Sequence, residues 1–216
     1  MPSFSLRLLT QQTLLGLAAL TNALTTPSPY EGLIPRDVTL ADGSVAVVYE
    51  NPALTFHKTR KVEPPTNPLN KRLWYSTYAN PSQGRNDYCG EWQTHVTGGS
   101  TAPLASDCSA IAQAYTIQTP DGPRGALGYW TVNPSDWSAP GGWVQLAASG
   151  TCKFVIGLEV GQPAQNALFG ANDVRFYTNS AVGSAVGGRS EASGTVSCFN
   201  GTSGNFVNIK FRLTRV

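Results

Sequence analysis

Histidine is scarce in this sequence, and the closely spaced cysteine pairs that bind zinc are missing. The 216 residues include two histidines, His57 and His95, and no two of the four cysteines stand three positions apart as in a CxxC pair. Zinc sites draw their ligands from such pairs and from neighbouring histidines. The sequence therefore argues against a metal centre, and we expect no cofactor.

The chain also lacks the common catalytic signatures. It has no GxSxG elbow, no HExxH motif and no nucleotide-binding glycine loop. His95 is the one histidine beyond the amino-terminal region, so any serine nucleophile would need it as its base. The remaining acidic candidates for proton transfer are Glu91, Asp107 and Glu159, of which Asp107 is better explained as a helix cap and Glu159 as an outward strand residue. We expect no enzyme, the alternative being a secreted hydrolase of cell-wall polymers.

Long apolar runs occur only at the amino terminus. A short basic start, 1–7, precedes a mostly apolar run, 8–20, and small residues at 21–23 offer a cleavage site. This pattern predicts a secretory signal peptide over residues 1–23, the alternative being a buried amino-terminal helix. No other run approaches the roughly 20 apolar residues that a membrane span needs. We therefore expect a secreted, extracellular protein with no membrane span.

The net charge of +2 comes from the amino-terminal third. Residues 1–72 hold seven of the 15 basic and five of the 13 acidic residues, which leaves eight of each from residue 73 onward. A neutral domain without a basic cluster gives no electrostatic reason to bind nucleic acid or an anionic membrane. The expected partner is an unknown protein or cell-wall component outside the cell, bound by a monomer.

Residues 24–72 are typical of a linker or pro-region, because they hold seven of the fifteen prolines and no cysteine. The dibasic pair Lys71-Arg72 closes this region and is a candidate processing site, although an ordinary pair of solvated charges is an equal alternative. Within the region, Val38–Tyr49 carries an Asp-Gly-Ser turn between apolar flanks and predicts a small hairpin that packs on the domain. The remaining residues, 73–216, form the predicted domain.

The stretch from Trp143 to Val160 predicts the central strand of that domain. Apolar residues occupy its even positions, including Phe154, Ile156 and Val160, and the odd positions are largely polar, which is the period of a strand with one buried face. Gly150 interrupts the pattern, so a bend or bulge is expected over 147–150. Cys152 falls on the apolar face.

Two helices and a closing hairpin complete the prediction. The first helix runs to Tyr115, with Ser106 or Asp107 as its cap; the second begins near Asn172 or Asp173, one of which caps it, and ends at Gly187-Gly188. Strands are predicted at 128–133, 195–199 and 206–216. This order predicts an α+β fold, a small mainly antiparallel sheet with two helices packed on one face and two disulfides.

Five short segments carry a resemblance to a known family when taken in order with all four cysteines. They are Asp87-Tyr88-Cys89-Gly90, Ala102–Ile111 with Cys108, Gly150-Thr151-Cys152-Lys153-Phe154-Val155 and Phe169–Val174 followed by Gly194-Thr195-Val196-Ser197-Cys198. Over about Asp87 to Leu213 the chain resembles the fungal effector family homologous to the extracellular-protein-two effector, also called putative necrosis-inducing factors. The resemblance implies a secreted fungal virulence protein with a disulfide-bonded α+β domain and no established catalytic residues.

Four cysteines allow three pairings, and we favour Cys108 with Cys152 and Cys89 with Cys198, which join the first helix to the sheet centre and the start of the domain to its closing hairpin. Asn200-Gly201-Thr202 is a candidate glycosylation sequon at a hairpin tip. Trp92, Trp137 and Trp143 lie in or next to loops and are candidate binding anchors, although covering the edge of a small core is the commoner use of large aromatics. The expected function is binding of a host or competitor target, with a killer-toxin-like membrane or channel toxin as a further alternative.

Overall fold

A computed structural model describes residues 28–57, 88–90, 93–119, 122–125, 128–201 and 205–216. Two helices and twelve strands are numbered here in chain order through these residues. The strands are β1 (Ile34–Thr39), β2 (Val45–Glu50), β3 (Thr55–His57), β4 (Gln93–Thr97), β5 (Thr116–Thr119), β6 (Gly122–Gly125), β7 (Tyr129–Val132), β8 (Val144–Ser149), β9 (Cys152–Leu158), β10 (Ala167–Gly170), β11 (Glu191–Phe199) and β12 (Phe206–Arg215). The helices are α1 (Ala105–Ala114) and α2 (Ala171–Gly183).

The main sheet has seven antiparallel strands in the order β1-β2-β8-β9-β12-β11-β4. Strand β9 is the fourth of the seven, so the segment predicted as the sheet centre is its centre. A three-stranded sheet, β10-β7-β3, and the hairpin β5-β6 complete the strands. The α+β class, the mainly antiparallel sheet, the two helices and the two disulfides are all confirmed.

The segment Trp143–Val160, predicted as one strand with a bend or bulge over 147–150, forms two strands, because the chain folds back on itself. Gly150 has a φ of +50°, a conformation that favours glycine, and it lies in the tight turn that connects β8 to β9. The pairing of β8 with β9 shifts in register between Gln145 and Ala147, so the irregularity lies in β8, at the start of the predicted range 147–150 and just before it. Val160, assigned to the buried face, lies beyond β9 and is 91% exposed.

The inner face of the sheet is built by alternation along β9 and β12. Phe154 and Ile156 on β9 and Ile209, Phe211 and Leu213 on β12 are buried. The Phe211 ring stacks on the Tyr177 ring of α2, with 4.8 Å between centroids. The polar residues between them face the other way, so the sheet keeps one apolar and one polar face.

The helix caps differ from those predicted. Helix α1 begins after Leu104, and the Asp107 carboxylate instead accepts hydrogen bonds from the Thr151 backbone N–H and hydroxyl, both at 2.7 Å. Helix α2 begins after Gly170, and Asp173 accepts a hydrogen bond from the Gly170 N–H. Helical spacing locates an apolar face well, whereas several polar residues in a row leave the first helical residue undetermined.

Helix α2 ends at Gly183, four residues before the predicted end at Gly187-Gly188. The turn after it is closed by paired hydrogen bonds between Val186 and Arg189, and Gly187 and Gly188 both have positive φ within that turn. Gly183 is the last helical residue, and Ser184 follows it as the C-cap.

Both disulfides join the cysteines that were paired from the sequence. Cys108, at the start of α1, is bonded to Cys152 at the start of β9, and both are fully buried. Cys89 is bonded to Cys198 near the end of β11. The helix start is therefore tied to the middle strand of the sheet.

Residues 34–57 pack against the rest of the chain, with β1 and β2 in the seven-stranded sheet and β3 in the three-stranded sheet. The hairpin β1-β2, predicted over Val38–Tyr49, joins β8 through β2, and Val48 is fully buried in the core. The Ser149 hydroxyl donates to the Val47 carbonyl, 102 positions away in sequence. The cleavage predicted at Lys71-Arg72, and with it the domain start at residue 73, lies outside the described residues and stays a prediction, as does the signal peptide over 1–23.

Candidate functional site

The loop between β7 and β8 presents the tryptophans predicted as binding anchors in two different ways. The Trp137 side chain is 8% exposed, and its indole N–H donates to the Gln165 carbonyl at 2.7 Å. Trp143 is half-buried and lies at the entrance to β8. Trp137 thus anchors the loop to the core, while Trp143 reaches the surface. The third candidate, Trp92, lies outside the described residues.

Trp143 lies on the polar face of the sheet over a glycine of the neighbouring strand. A Cβ on Gly157 would lie 2.5 Å from the Gly142 carbonyl oxygen and 3.4 Å from Cε3 of Trp143. Gly157 pairs with Lys210 in β12. The missing side chain at 157 therefore lets the indole approach the backbone of β9 and reach residues of β12 two strands away.

Two cations contact the Trp143 ring. Lys210 Nζ is 4.9 Å and Arg212 Cζ is 4.6 Å from the ring centroid. Both distances are within the range of cation–π attraction, which contributes about 0.5–1 kcal/mol at exposed positions. Because Lys210 and Arg212 are two residues apart on one strand, both project from the same face of the sheet.

A groove of about 350 Å³ runs along the other side of Trp143. Its wall combines the loop after β2, the turn before Trp137 and the first residues of β8. The lining residues are Asn51, Ala53, Leu54, Ser135, Asp136, Ser138, Ala139, Trp143, Val144 and Gln145. Five of these ten residues are polar and five are apolar, so the groove offers both hydrogen-bonding groups and apolar surface to a ligand.

Two polar groups in the groove differ in how they are satisfied. The Asp136 carboxylate accepts a hydrogen bond from the Asn133 backbone N–H at 2.7 Å, which fixes its orientation. The amide nitrogen of Gln145 is buried and has no hydrogen-bond partner among the described residues. A buried donor without a partner is uncommon in folded proteins and is costly. We name the groove together with Trp143, Lys210 and Arg212 the Trp143 site.

The acidic and basic residues considered for catalysis are not gathered at this site. His95 is exposed on the edge strand β4, opposite Ser193 of β11. Asp107 binds Thr151 on the helix side of the sheet, and Glu159 follows the end of β9. Glu91 lies outside the described residues. His95 and Ser193 are neighbours on paired strands, but no side-chain hydrogen bond joins them within the described residues.

Asn200 directly follows β11, as the predicted hairpin tip requires, and is half-buried. Its side-chain amide donates to the Gln165 side-chain oxygen at 3.3 Å. A glycan on this nitrogen would have to replace that hydrogen bond. Glycosylation at Asn200 therefore stays a prediction, and Thr202 of the sequon lies outside the described residues.

The described part of the chain contains no cluster of three metal-ligating side chains. Within the same residues, no helix combines the length and apolar character that crossing a membrane requires. The candidate site is therefore defined by its aromatic, polar and cationic side chains.

Sequence reasoning found Trp143 but missed Gln145, Gly157, Lys210 and Arg212. Gly157 and Lys210 were read only as members of alternating strands, because the pairing of β8, β9 and β12 that brings them to Trp143 is long-range. One signal was present in the sequence, since a glycine inside a strand often marks a close approach by another group.

The sequence was compared with models of protein families. The family model Hce2, described as a pathogen effector and putative necrosis-inducing factor, matches residues 88–198. The matched span includes all four cysteines, both helices and Trp143. No curated protein matches the sequence.

Proposed function

The chain belongs to the Hce2 family of pathogen effectors, and from this premise we propose that the protein is secreted and acts by binding a host or competitor target without catalysis. One observation supports binding more than any other: a half-buried tryptophan flanked by two cations at the mouth of a polar groove. Tryptophan and arginine are enriched among residues that dominate binding energy at interfaces.

Secretion of a monomer is part of this proposal. The cysteines of both disulfides are buried, which is typical of structural disulfides. Such disulfides persist in oxidising compartments outside the cytosol. Size-exclusion chromatography of the protein recovered from culture medium tests both points. We expect an intact, oxidised protein at the size of one copy.

The biological test is a dose series of the purified secreted protein, infiltrated into plant leaves and applied to competing microbes. We expect cell death or growth inhibition in one of the two assays. Trp143→Ala should reduce the response about tenfold or more, as loss of a central aromatic anchor does. Phe176→Ala is the matched control, because Phe176 is an aromatic residue of α2 that is 52% exposed and lies outside the groove.

Two outcomes would contradict the proposal. No response at any dose in either assay would argue against an effector role. Turnover of a glycan or ester panel that is abolished by His95→Ala would replace binding by hydrolysis. A liposome-leakage assay covers the membrane-toxin alternative, for which we expect no leakage.

A further inference from the structure

Within the described residues, the two cations of the Trp143 site have no salt-bridge partner, and Asp136 in the groove is the one carboxylate of the site. The one salt bridge within the described residues joins Arg36 to Glu50, away from this site. Glu191 lies on the same face of β11, but its carboxylate accepts a hydrogen bond from the Thr214 hydroxyl at 2.8 Å. Lys210 and Arg212 therefore contact the indole, and neither forms a salt bridge with a carboxylate of the part of the chain that the structure describes.

The neighbours of these cations along the sheet are uncharged. Lys210 pairs with Thr195 on β11 and with Gly157 on β9. Arg212 pairs with Ser193 on β11 and with Val155 on β9. In a protein whose chain from residue 73 onward is electrically balanced, this is a local positive surface. An arginine beside a lysine on a flat sheet face can bind carboxylates through charge-assisted hydrogen bonds.

The groove beside the ring supplies the second half of a recognition surface. Asn51, Ser135 and Ser138 offer polar groups along the groove, which also holds the Asp136 carboxylate. The indole between groove and cations gives a flat apolar surface with a polar edge. A ligand that fits both halves has apolar ring faces, several hydroxyl groups and negative charge.

We propose that the Trp143 site binds an acidic polysaccharide, a polymer of sugar rings that carry carboxylates. The sugar C–H face packs on the indole, hydroxyl groups bind the polar side chains of the groove, and carboxylates bind Lys210 and Arg212. This inference deepens the proposed function, on which it rests, by naming the class of ligand. Two cations are too few to follow the phosphates of a nucleic acid, whose binding scales with the number of phosphates neutralised.

The experiment measures binding of the full secreted chain to oligosaccharides of galacturonic acid by titration calorimetry. The fully methyl-esterified oligosaccharide and a neutral glucan of equal length serve as ligand controls. We expect the acidic ligand to bind, binding to weaken as salt is raised, and esterification to reduce affinity about tenfold or more because it removes the charge-assisted hydrogen bonds.

Two variants locate the binding. Trp143→Ala and the double change Lys210→Gln with Arg212→Gln should each lower the affinity for the acidic ligand about tenfold or more. Arg215→Gln is the matched control, because it removes an exposed cation from the same strand beyond the ring and should leave affinity unchanged. If Trp143→Ala fails to fold, the double variant still tests the inference, because it removes no apolar core residue.

Several results would overturn the inference. The acidic ligand could fail to bind, the neutral glucan could bind equally well, or the variants could leave the affinity unchanged. Equally tight binding of poly-glutamate would also overturn it, because that result would indicate an acidic-peptide site. A tissue response that needs Trp143 while no uronide binds would refute the ligand class alone. Uronide binding by a protein that causes no response would refute the effector function alone.

Discussion

Gly157 has a role that depends on having no side chain. Its position in the middle of β9 costs backbone entropy, and a strand interior usually favours β-branched residues. The space above it is occupied by the Gly142 carbonyl, the Lys210 side chain and the Trp143 ring. This glycine is therefore explained by the close approach of the β7–β8 loop to the sheet.

We predict that Gly157→Ala destabilises the protein by about 1–3 kcal/mol, because its Cβ would lie 2.5 Å from a backbone oxygen that must move. The control is Gly183→Ala at the end of α2, where nothing lies within 4 Å; this change should add about 0.5–1 kcal/mol. Urea denaturation measures both. Equal effects of the two substitutions would contradict the close approach.

Tyr115 is a buried phenol at the contact between α1 and the amino-terminal hairpin. Its hydroxyl donates to Glu50 at 3.1 Å, and the Glu50 carboxylate also accepts from Arg36. Burial, with the nearby charge of Glu50, raises the pKa of Tyr115 well above its usual value of 10.0, while Arg36 opposes the shift. The neutral phenol is thus favoured in the folded protein.

The sign of the resulting pH dependence follows from proton counts. Above pH 10 the unfolded chain loses the Tyr115 proton while the folded protein retains it, so the free energy of unfolding falls as pH rises until the folded phenol ionises. We predict that Tyr115→Phe removes up to about 1.4 kcal/mol per pH unit from that slope. The comparison uses the slopes above pH 10 and not the absolute stabilities, because the variant also lacks the hydrogen bond to Glu50 and is therefore changed in stability at every pH. An unchanged slope would contradict the shift.

At the scale of elements, the two disulfides close loops of different length. Cys108 and Cys152 are 44 positions apart, and Cys89 and Cys198 are 109 apart. In the chain-entropy model these loops stabilise the fold by about 4 and about 5 kcal/mol, respectively. Paired cysteine-to-alanine variants, compared by chemical denaturation, should follow that order. A loss below about 1 kcal/mol for either pair would mean that the model fails here.

The strands and helices were predicted where period and polarity agree, and missed where long-range contacts decide. Apolar and polar residues alternate along 206–216, and this segment forms β12 as predicted. In contrast, Ser106 and Asp107 are both good capping residues, yet α1 starts after Leu104 because Asp107 binds Thr151 of the β8–β9 turn. Local propensity cannot reveal a partner 44 positions away.

At the scale of the molecule, the amino-terminal segment completes the fold without a covalent link from a cysteine. Val38, Val48 and Leu54 are buried in the common core. Tyr30 stacks on Tyr49 and donates its hydroxyl hydrogen bond to the Gly150 carbonyl. The composition of residues 24–72 predicted a linker, and their proline content gave no sign of how much apolar surface the hairpin covers.

We predict that a chain beginning at residue 58 is less stable than one beginning at residue 28, because loss of β1–β3 exposes the core beneath Val38, Val48 and Leu54. The shorter chain should unfold at a lower urea concentration and bind a hydrophobic dye. A synthetic peptide of residues 28–57, added separately, should reverse both changes. Identical denaturation curves with and without β1–β3 would contradict this account.

The candidate site could be predicted only in part for a related reason. Trp143 was identified from its place beside a glycine-rich loop, which is local information. Its contact with Lys210 and Arg212 depends on the order β8-β9-β12, in which the last strand lies beside β9 rather than at an edge. Charge counts over residues 73–216 gave a neutral total and concealed this local positive surface.

The placement of β12 also sets an order of events during biosynthesis. Since β12 lies between β9 and β11, the seven-stranded sheet cannot close before Phe206–Arg215 has been synthesised. The β1-β2 hairpin, although made early, has no β8 edge to join for about a hundred residues. Its exposed apolar side chains must be kept from aggregating until then, which makes the nascent chain a client for chaperones of the compartment in which it folds.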